Sequence, residues 1–141
     1  MRREQIKAVL AKRVEAWRRR DSVTLAAGHS EDAVLDTMIA GRIEGRPAIE
    51  ALYRDWFTAF PQMEFEVEDQ VIDGDHVALF WSQRGKHLGD FCGLKATGRS
   101  YEMRGVFLMT FQDGKIVHVR SIYDFTGLLV QLGVLKAKPA F

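Results

Sequence analysis

The sequence predicts an α+β domain in which helices near the start of the chain cover one side of a curved, mostly antiparallel sheet. Three observations carry this reading. Apolar residues recur at spacings of three and four over residues 3–20 and again over 47–60. From residue 63 onward they alternate with polar residues instead, the pattern of a sheet with one wet face. Turn residues then punctuate that second half at Asp73-Gly74-Asp75 and Asp113-Gly114. Helices followed by a meander of long strands define the class.

The elements follow in order. Ile6, Val9, Leu10, Val14 and Trp17 form the apolar stripe of a first helix, with the arginines mostly on the opposite side. Asp21 and Ser22 can cap a second short helix near residues 22–28. A short strand at Ala33–Met38 leads into turns at Ala40-Gly41-Arg42 and Gly45-Arg46-Pro47. Pro47 suits the first turn of a helix carrying Ile49, Leu52, Tyr53, Trp56, Phe57 and Phe60, which ends before Pro61. Met63, Phe65 and Val67 alternate with glutamates, and a strand over His76–Arg84 follows the first turn. After a loop containing Gly85, Gly89, Gly93 and Gly98, a long strand spans about Arg99–Gln112. Asp113-Gly114 returns the chain into Ile116–Asp124, and a short apolar helix over 126–132 is closed by Gly133.

Composition narrows the function classes. The 141 residues are read as one domain, 1–141, long enough for a substantial core. No apolar run approaches the ~20 residues that span a bilayer, and no signal-peptide core is present, so a cytoplasmic protein without membrane association is expected. The single cysteine, Cys92, excludes an intrachain disulfide. Residues 1–20 carry eight Arg or Lys against Glu4 and Glu15, which could suggest nucleic acid, but the helical stripe makes them a solvated face. No nucleic-acid partner is expected. The histidines at 29, 76, 87 and 118 show neither HxH nor HxxxH spacing, so no metal is expected.

The last strand is the most informative segment. Alternation places Ile116, His118, Arg120, Ile122 and Asp124 on one face, so three ionisable side chains share it with two isoleucines. If Asp113-Gly114 is a two-residue loop, Gln112 pairs with Lys115, and Asp124 then faces Met103, Arg120 faces Phe107 and His118 faces Met109. Polar groups among Met103, Phe107, Met109 and Phe111 suggest a ligand cavity. A β-bulge anywhere in this pair would break the register.

Several segments carry a family resemblance: Gly45-Arg46-Pro47-Ala48-Ile49, Trp56-Phe57-Thr58-Ala59-Phe60-Pro61, Phe65-Glu66-Val67-Glu68-Asp69, Gly85-Lys86-His87-Leu88-Gly89-Asp90-Phe91, Thr97-Gly98-Arg99, Asp113-Gly114-Lys115-Ile116-Val117, and Tyr123-Asp124 with Leu128-Leu129-Val130-Gln131-Leu132-Gly133. Over about residues 45–135 the chain resembles the SnoaL-like polyketide cyclase, or ester cyclase, branch of the nuclear-transport-factor-2-like superfamily. The resemblance implies a cone-shaped α+β barrel whose N-terminal helices close an internal cavity. It also implies an aldol-type ring closure with an aspartate matching Asp124 as general acid and base, and no cofactor.

That chemistry fits a carboxylate whose pKa is raised by apolar surroundings, since one group then serves as base and acid. Asp124 is expected in an enclosed pocket walled by Phe107, Ile122, Trp56 and Trp81, or alternatively as a structural cap of helix 126–132. Arg120 departs from the aromatic residue common in relatives. It could depress the pKa of Asp124 or bind an anionic substrate group. His118 completes the catalytic candidates, and Trp17, Tyr53, Trp56, Trp81, His87, Met103 and Phe107 are the substrate-binding candidates. Glu102 and Arg104 fall on the opposite face in this register, and Cys92 lacks an evident base. The sequence therefore supports a cofactor-independent acid/base enzyme acting on a hydrophobic carbonyl compound. The alternative is a binding protein that uses the same cavity without turnover. A homodimer is expected through Val106, Leu108, Val117 and Val119 on the opposite, outer face.

Overall fold

A computed structural model describes residues 2–136. Helix α1 (Arg3–Arg19) buries Ile6, Leu10, Arg13, Ala16 and Trp17, a stripe at spacings of three and four. Arg20 ends it in the left-handed conformation, and Asp21 then caps α2 (Ser22–Ala27) by accepting from the Thr24 N–H at 3.0 Å. Strands β1 (His29–Thr37) and β2 (Gly41–Glu44) lead into α3 (Arg46–Ala59), which has Pro47 in its first turn and buries Ile49, Tyr53, Trp56 and Phe57. Strands β3 (Glu64–Asp73), β4 (His76–Lys86), β5 (Ser100–Gln112) and β6 (Lys115–Tyr123) precede α4 (Phe125–Gln131).

The six strands form one mixed sheet in the order β2-β1-β6-β5-β4-β3. All neighbours are antiparallel except β1 and β6, which run parallel. The α+β class stands, with the helices on one side, but β2 and β3 remain free edges, so hydrogen bonding does not close a barrel. Two elements differ from the sequence reading. Strand β1 begins at His29 rather than Ala33, because its parallel partner β6 supplies pairing from Ile116 onward. Residues 41–44 form an edge strand rather than a bare turn, paired with β1 from Val34 to Thr37.

The core is an aromatic stack between helices and sheet. Trp17 lies nearly parallel to Phe65 and Phe107, with centroids 4.9 and 5.6 Å away, while Tyr53 and Phe57 meet it edge-on at 5.5 and 5.4 Å. Trp81 continues the cluster 5.2 Å from Phe107. Its ring crosses Gly105 so closely that any Cβ there would collide with it, which accounts for a glycine inside a long central strand.

Candidate active site in the interior cavity

The β5–β6 hairpin decides which side chains face the helices. Its first pairs, Gln112 with Lys115 and Phe111 with Ile116, follow the flush register. The next pair is Thr110 with His118, so Val117 is an extra residue on β6 and every later pair shifts by one. Phe107 therefore faces Ser121 rather than Arg120, and Gly105 faces Tyr123. Beyond the bulge, Val119, Ser121 and Tyr123 turn inward and His118, Arg120 and Ile122 turn outward.

This corrects the placement of the three catalytic candidates. His118 is half-exposed, and its Nε2 lies 2.7 Å from Asp36 Oδ2, a β1 carboxylate on the same outer face. Arg120 is exposed. Asp124 is also exposed and caps α4, accepting from the Gly127 N–H at 2.8 Å. It borders an open surface recess with Glu102, Met103, Arg104 and Gln131, so the pair at 102 and 104 lies beside it rather than opposite. Of its four expected neighbours, Phe107, Trp56 and Trp81 line the interior and Ile122 does not.

A small interior cavity of about 20 Å³, room for one water molecule, lies between α3 and the sheet. Trp17, Leu35, Leu52, Tyr53, Trp56, Trp81 and Phe107 supply its apolar wall, and Thr37, Gln83, Ser121 and Tyr123 add polar groups. No carboxylate or imidazole lines it. The indole N–H groups of Trp17 and Trp81 are buried without hydrogen-bond partners. The Tyr123 hydroxyl, also buried, lies beside the Ile39 backbone without completing a hydrogen bond. Burial pushes this phenol well above its ordinary pKa, so it stays a donor. Tyr101, likewise raised by burial, donates to Gln83 Oε1 at 2.7 Å, which leaves the NH₂ end of Gln83 as its donor.

Behind the wall sits a polar chain that sequence reasoning missed. Arg13, only 5% exposed, donates from one terminal guanidinium nitrogen to the Tyr53 hydroxyl at 3.0 Å. The Tyr53 oxygen is 3.4 Å from Nε2 of the fully buried His29, whose Nδ1 lies 3.0 Å from the Leu25 carbonyl. Burial first, and the Arg13 charge second, lower the His29 pKa to about 3. The neutral ring thus gives its Nδ1 proton to Leu25 and keeps a free lone pair at Nε2, towards which Tyr53 donates.

The substrate-binding candidates divide. Trp17, Tyr53, Trp56, Trp81 and Phe107 meet at the cavity, whereas Met103 and His87 do not line it. Met103 is buried on the inner side of β5, nearer the recess below Asp124. His87 packs a loop: its Nδ1 accepts from the Thr97 N–H at 3.2 Å, and its ring lies 5.6 Å from Phe60. Cys92 is exposed, with its thiol pKa raised by partial burial. Among the described residues no three His, Cys, Asp or Glu side chains gather at metal-binding distance. Arg13 was legible: it falls three residues after Leu10 and four before Trp17, on the apolar stripe. Gln83 continues the alternation of Leu79 and Trp81. Ser121 and Tyr123 required the bulge.

The α+β arrangement has the fold of solved NTF2-like proteins, among them one from Burkholderia pseudomallei with a TM-score of 0.77 at 17% identity, over 91% of this chain and 97% of that one. A protein of Jannaschia sp. CCS1 described as a SnoaL-like polyketide cyclase shares the fold with a TM-score of 0.85 at 20% identity, over 94% of each chain. The SnoaL-like polyketide cyclase family profile matches residues 7–132, and the chain belongs to that family. It is similar to aklanonic acid methyl ester cyclase of Streptomyces galilaeus, 41% identical over 35% of this chain and 34% of that protein. It also resembles nogalonic acid methyl ester cyclase of Streptomyces nogalater, 35% identical over 55% of this chain and 60% of that protein. The matches thus span less than two thirds of either relative.

Proposed function

We propose that this chain binds a hydrophobic, oxygen-rich carbonyl compound in the cavity between α3 and the sheet. The observation that carries the reading is the set of buried donors on an aromatic wall: Trp17 Nε1, Trp81 Nε1 and the Tyr123 hydroxyl have no protein acceptor. Unpaired buried donors are costly, and carbonyl oxygens of a flat ligand would satisfy them. The relatives' names point to carbonyl compounds too, the methyl esters of aklanonic and nogalonic acid. A compound of several rings exceeds the present space, so its entry requires the α3 wall, with Leu52, Tyr53 and Trp56, to move away from the sheet.

A second reading adds turnover, as a cyclase or isomerase. It is favoured by Tyr53, whose oxygen accepts a hydrogen bond from Arg13 while its hydroxyl donates towards Nε2 of neutral His29. That hydroxyl can swing to a ligand carbonyl and stabilise an enolate oxygen, the electrophilic half of an aldol closure. The cavity supplies no carboxylate for the proton-abstracting half. All three tryptophans of the chain line the cavity, so ligand binding has a direct optical readout. Titration with aklanonic and nogalonic acid methyl esters is expected to quench tryptophan emission saturably. Chromatography of the same mixtures then separates binding from ring closure. Absence of quenching by both compounds would overturn the cavity as a ligand site.

We also infer a homodimer, through a revised patch. Val119 is fully buried inside and drops out of the outer face, while Phe80, Val106 and Ile122 stand in register across β4, β5 and β6. Phe80 is 42% and Ile122 39% exposed, an apolar stripe suited to a two-fold contact.

A further inference from the structure

Arg13 is a cation in an aromatic cage with no anion beside it. Its guanidinium carbon lies 5.1 Å from the Phe107 ring centroid and 5.6 Å from that of Tyr53. Its Nε and one terminal nitrogen are buried without a protein partner, and Tyr53 takes one of its five N–H bonds. No carboxylate lies within 4.0 Å of it among the described residues. His29, the ionisable group reached through Tyr53, is neutral and offers no counter-charge. Faces of aromatic rings soften the isolation of such a charge but leave its N–H bonds unsatisfied. An unpaired charge this deep is costly, and an anion arriving beside it would relieve that cost.

Resting on the cavity reading above, we infer that the free N–H groups of Arg13 receive a carboxylate oxygen of the ligand, so that the compound bound most tightly is a hydrophobic carboxylic acid. The rings of Tyr53 and Phe107 border both the cavity and the guanidinium, which itself lies behind them, so a flat ligand lying along these rings, as they give way, brings its acidic end to Arg13. Tyr53 then faces the same end of the ligand, its oxygen held by Arg13 and its hydroxyl free to turn from His29 to the ligand. Guanidinium-to-carboxylate hydrogen bonds are about twice as strong as neutral ones, so charge selects the ligand.

The test compares anthraquinone-2-carboxylate with its methyl ester, two probes that differ in one charge. Tryptophan quenching gives a dissociation constant for each, and isothermal calorimetry checks both. The wild-type protein is expected to bind the acid tenfold or more tightly than the ester, on the order of one charge-assisted hydrogen bond. Arg13→Met is expected to bring the ratio close to one while Arg13→Lys keeps part of it. Equal affinity of the wild type for acid and ester would overturn the anion site and leave the cavity reading in place. Absence of quenching by either probe would overturn both. The wild-type comparison needs no variant, so it decides the question even if Arg13→Met fails to fold.

Discussion

At the scale of residues, the interior depends on one histidine that is not free to titrate. His29 has a folded pKa of about 3, against 6.5 in the unfolded chain. Between those values the unfolded chain binds a proton that the folded protein refuses. Stability therefore rises with pH across this window, and is lost as pH falls from 6.5 towards 3. The slope from this residue is about 1.4 kcal/mol per pH unit. His29→Gln should remove it: wild type is expected to lose about 2 kcal/mol more than the variant between about pH 7 and about pH 5, measured by urea unfolding. Parallel losses in the two proteins would show that His29 is not held neutral. Asp124 plays a different part. Asp124→Asn retains a good helix cap and is expected to leave both stability and tryptophan quenching unchanged, whereas Asp124→Ala should cost about 1 kcal/mol through the cap alone. A loss of ligand affinity in Asp124→Asn would return this carboxylate to the site.

At the scale of elements, one extra residue in β6 decides what the cavity is made of. Arg120→Ala is expected to change stability by less than about 0.5 kcal/mol and leave binding intact, because the side chain is exposed on the outer face. Ser121→Leu should abolish tryptophan quenching, since the added carbons exceed the space its hydroxyl borders. The flush register would require the opposite pair of results. The same residue marks how far the sequence can be read. Helical stripes, the Asp113-Gly114 hairpin and the inward face of β5, with Met103, Phe107, Met109 and Phe111, are all legible, because periodicity and turn chemistry are local. The aromatic half of the cavity was legible for the same reason. Its polar residues on β6, Ser121 and Tyr123, were not: a bulge at Val117 leaves the alternation of residue types consistent with either side, and only the packed sheet selects the face. Asp124 sits just past the last paired residue of β6, where strand periodicity no longer applies and helix capping takes over.

At the scale of the whole molecule, the outer face of the sheet carries the next prediction. Light scattering is expected to give about twice the 16.1 kDa chain mass, and Phe80→Glu should return it to the monomer value. A monomer in the wild type at micromolar concentration would exclude the contact across Phe80, Val106 and Ile122. The parallel pairing of β1 with β6 has a consequence of another kind. His29 meets Ile116 and Asp36 meets Arg120, so two strands far apart in sequence meet in the interior of the sheet. On the ribosome, β1 emerges with only the four-residue β2 to bond to, and its other edge must wait until α3 and strands β3, β4 and β5 have been made and β6 follows them. Until β6 arrives, both β1 and β5 present naked edges that another nascent chain could pair with. Strand β6 thus acts as a keystone, and the yield of native protein is expected to fall where its synthesis lags behind encounters between half-made copies.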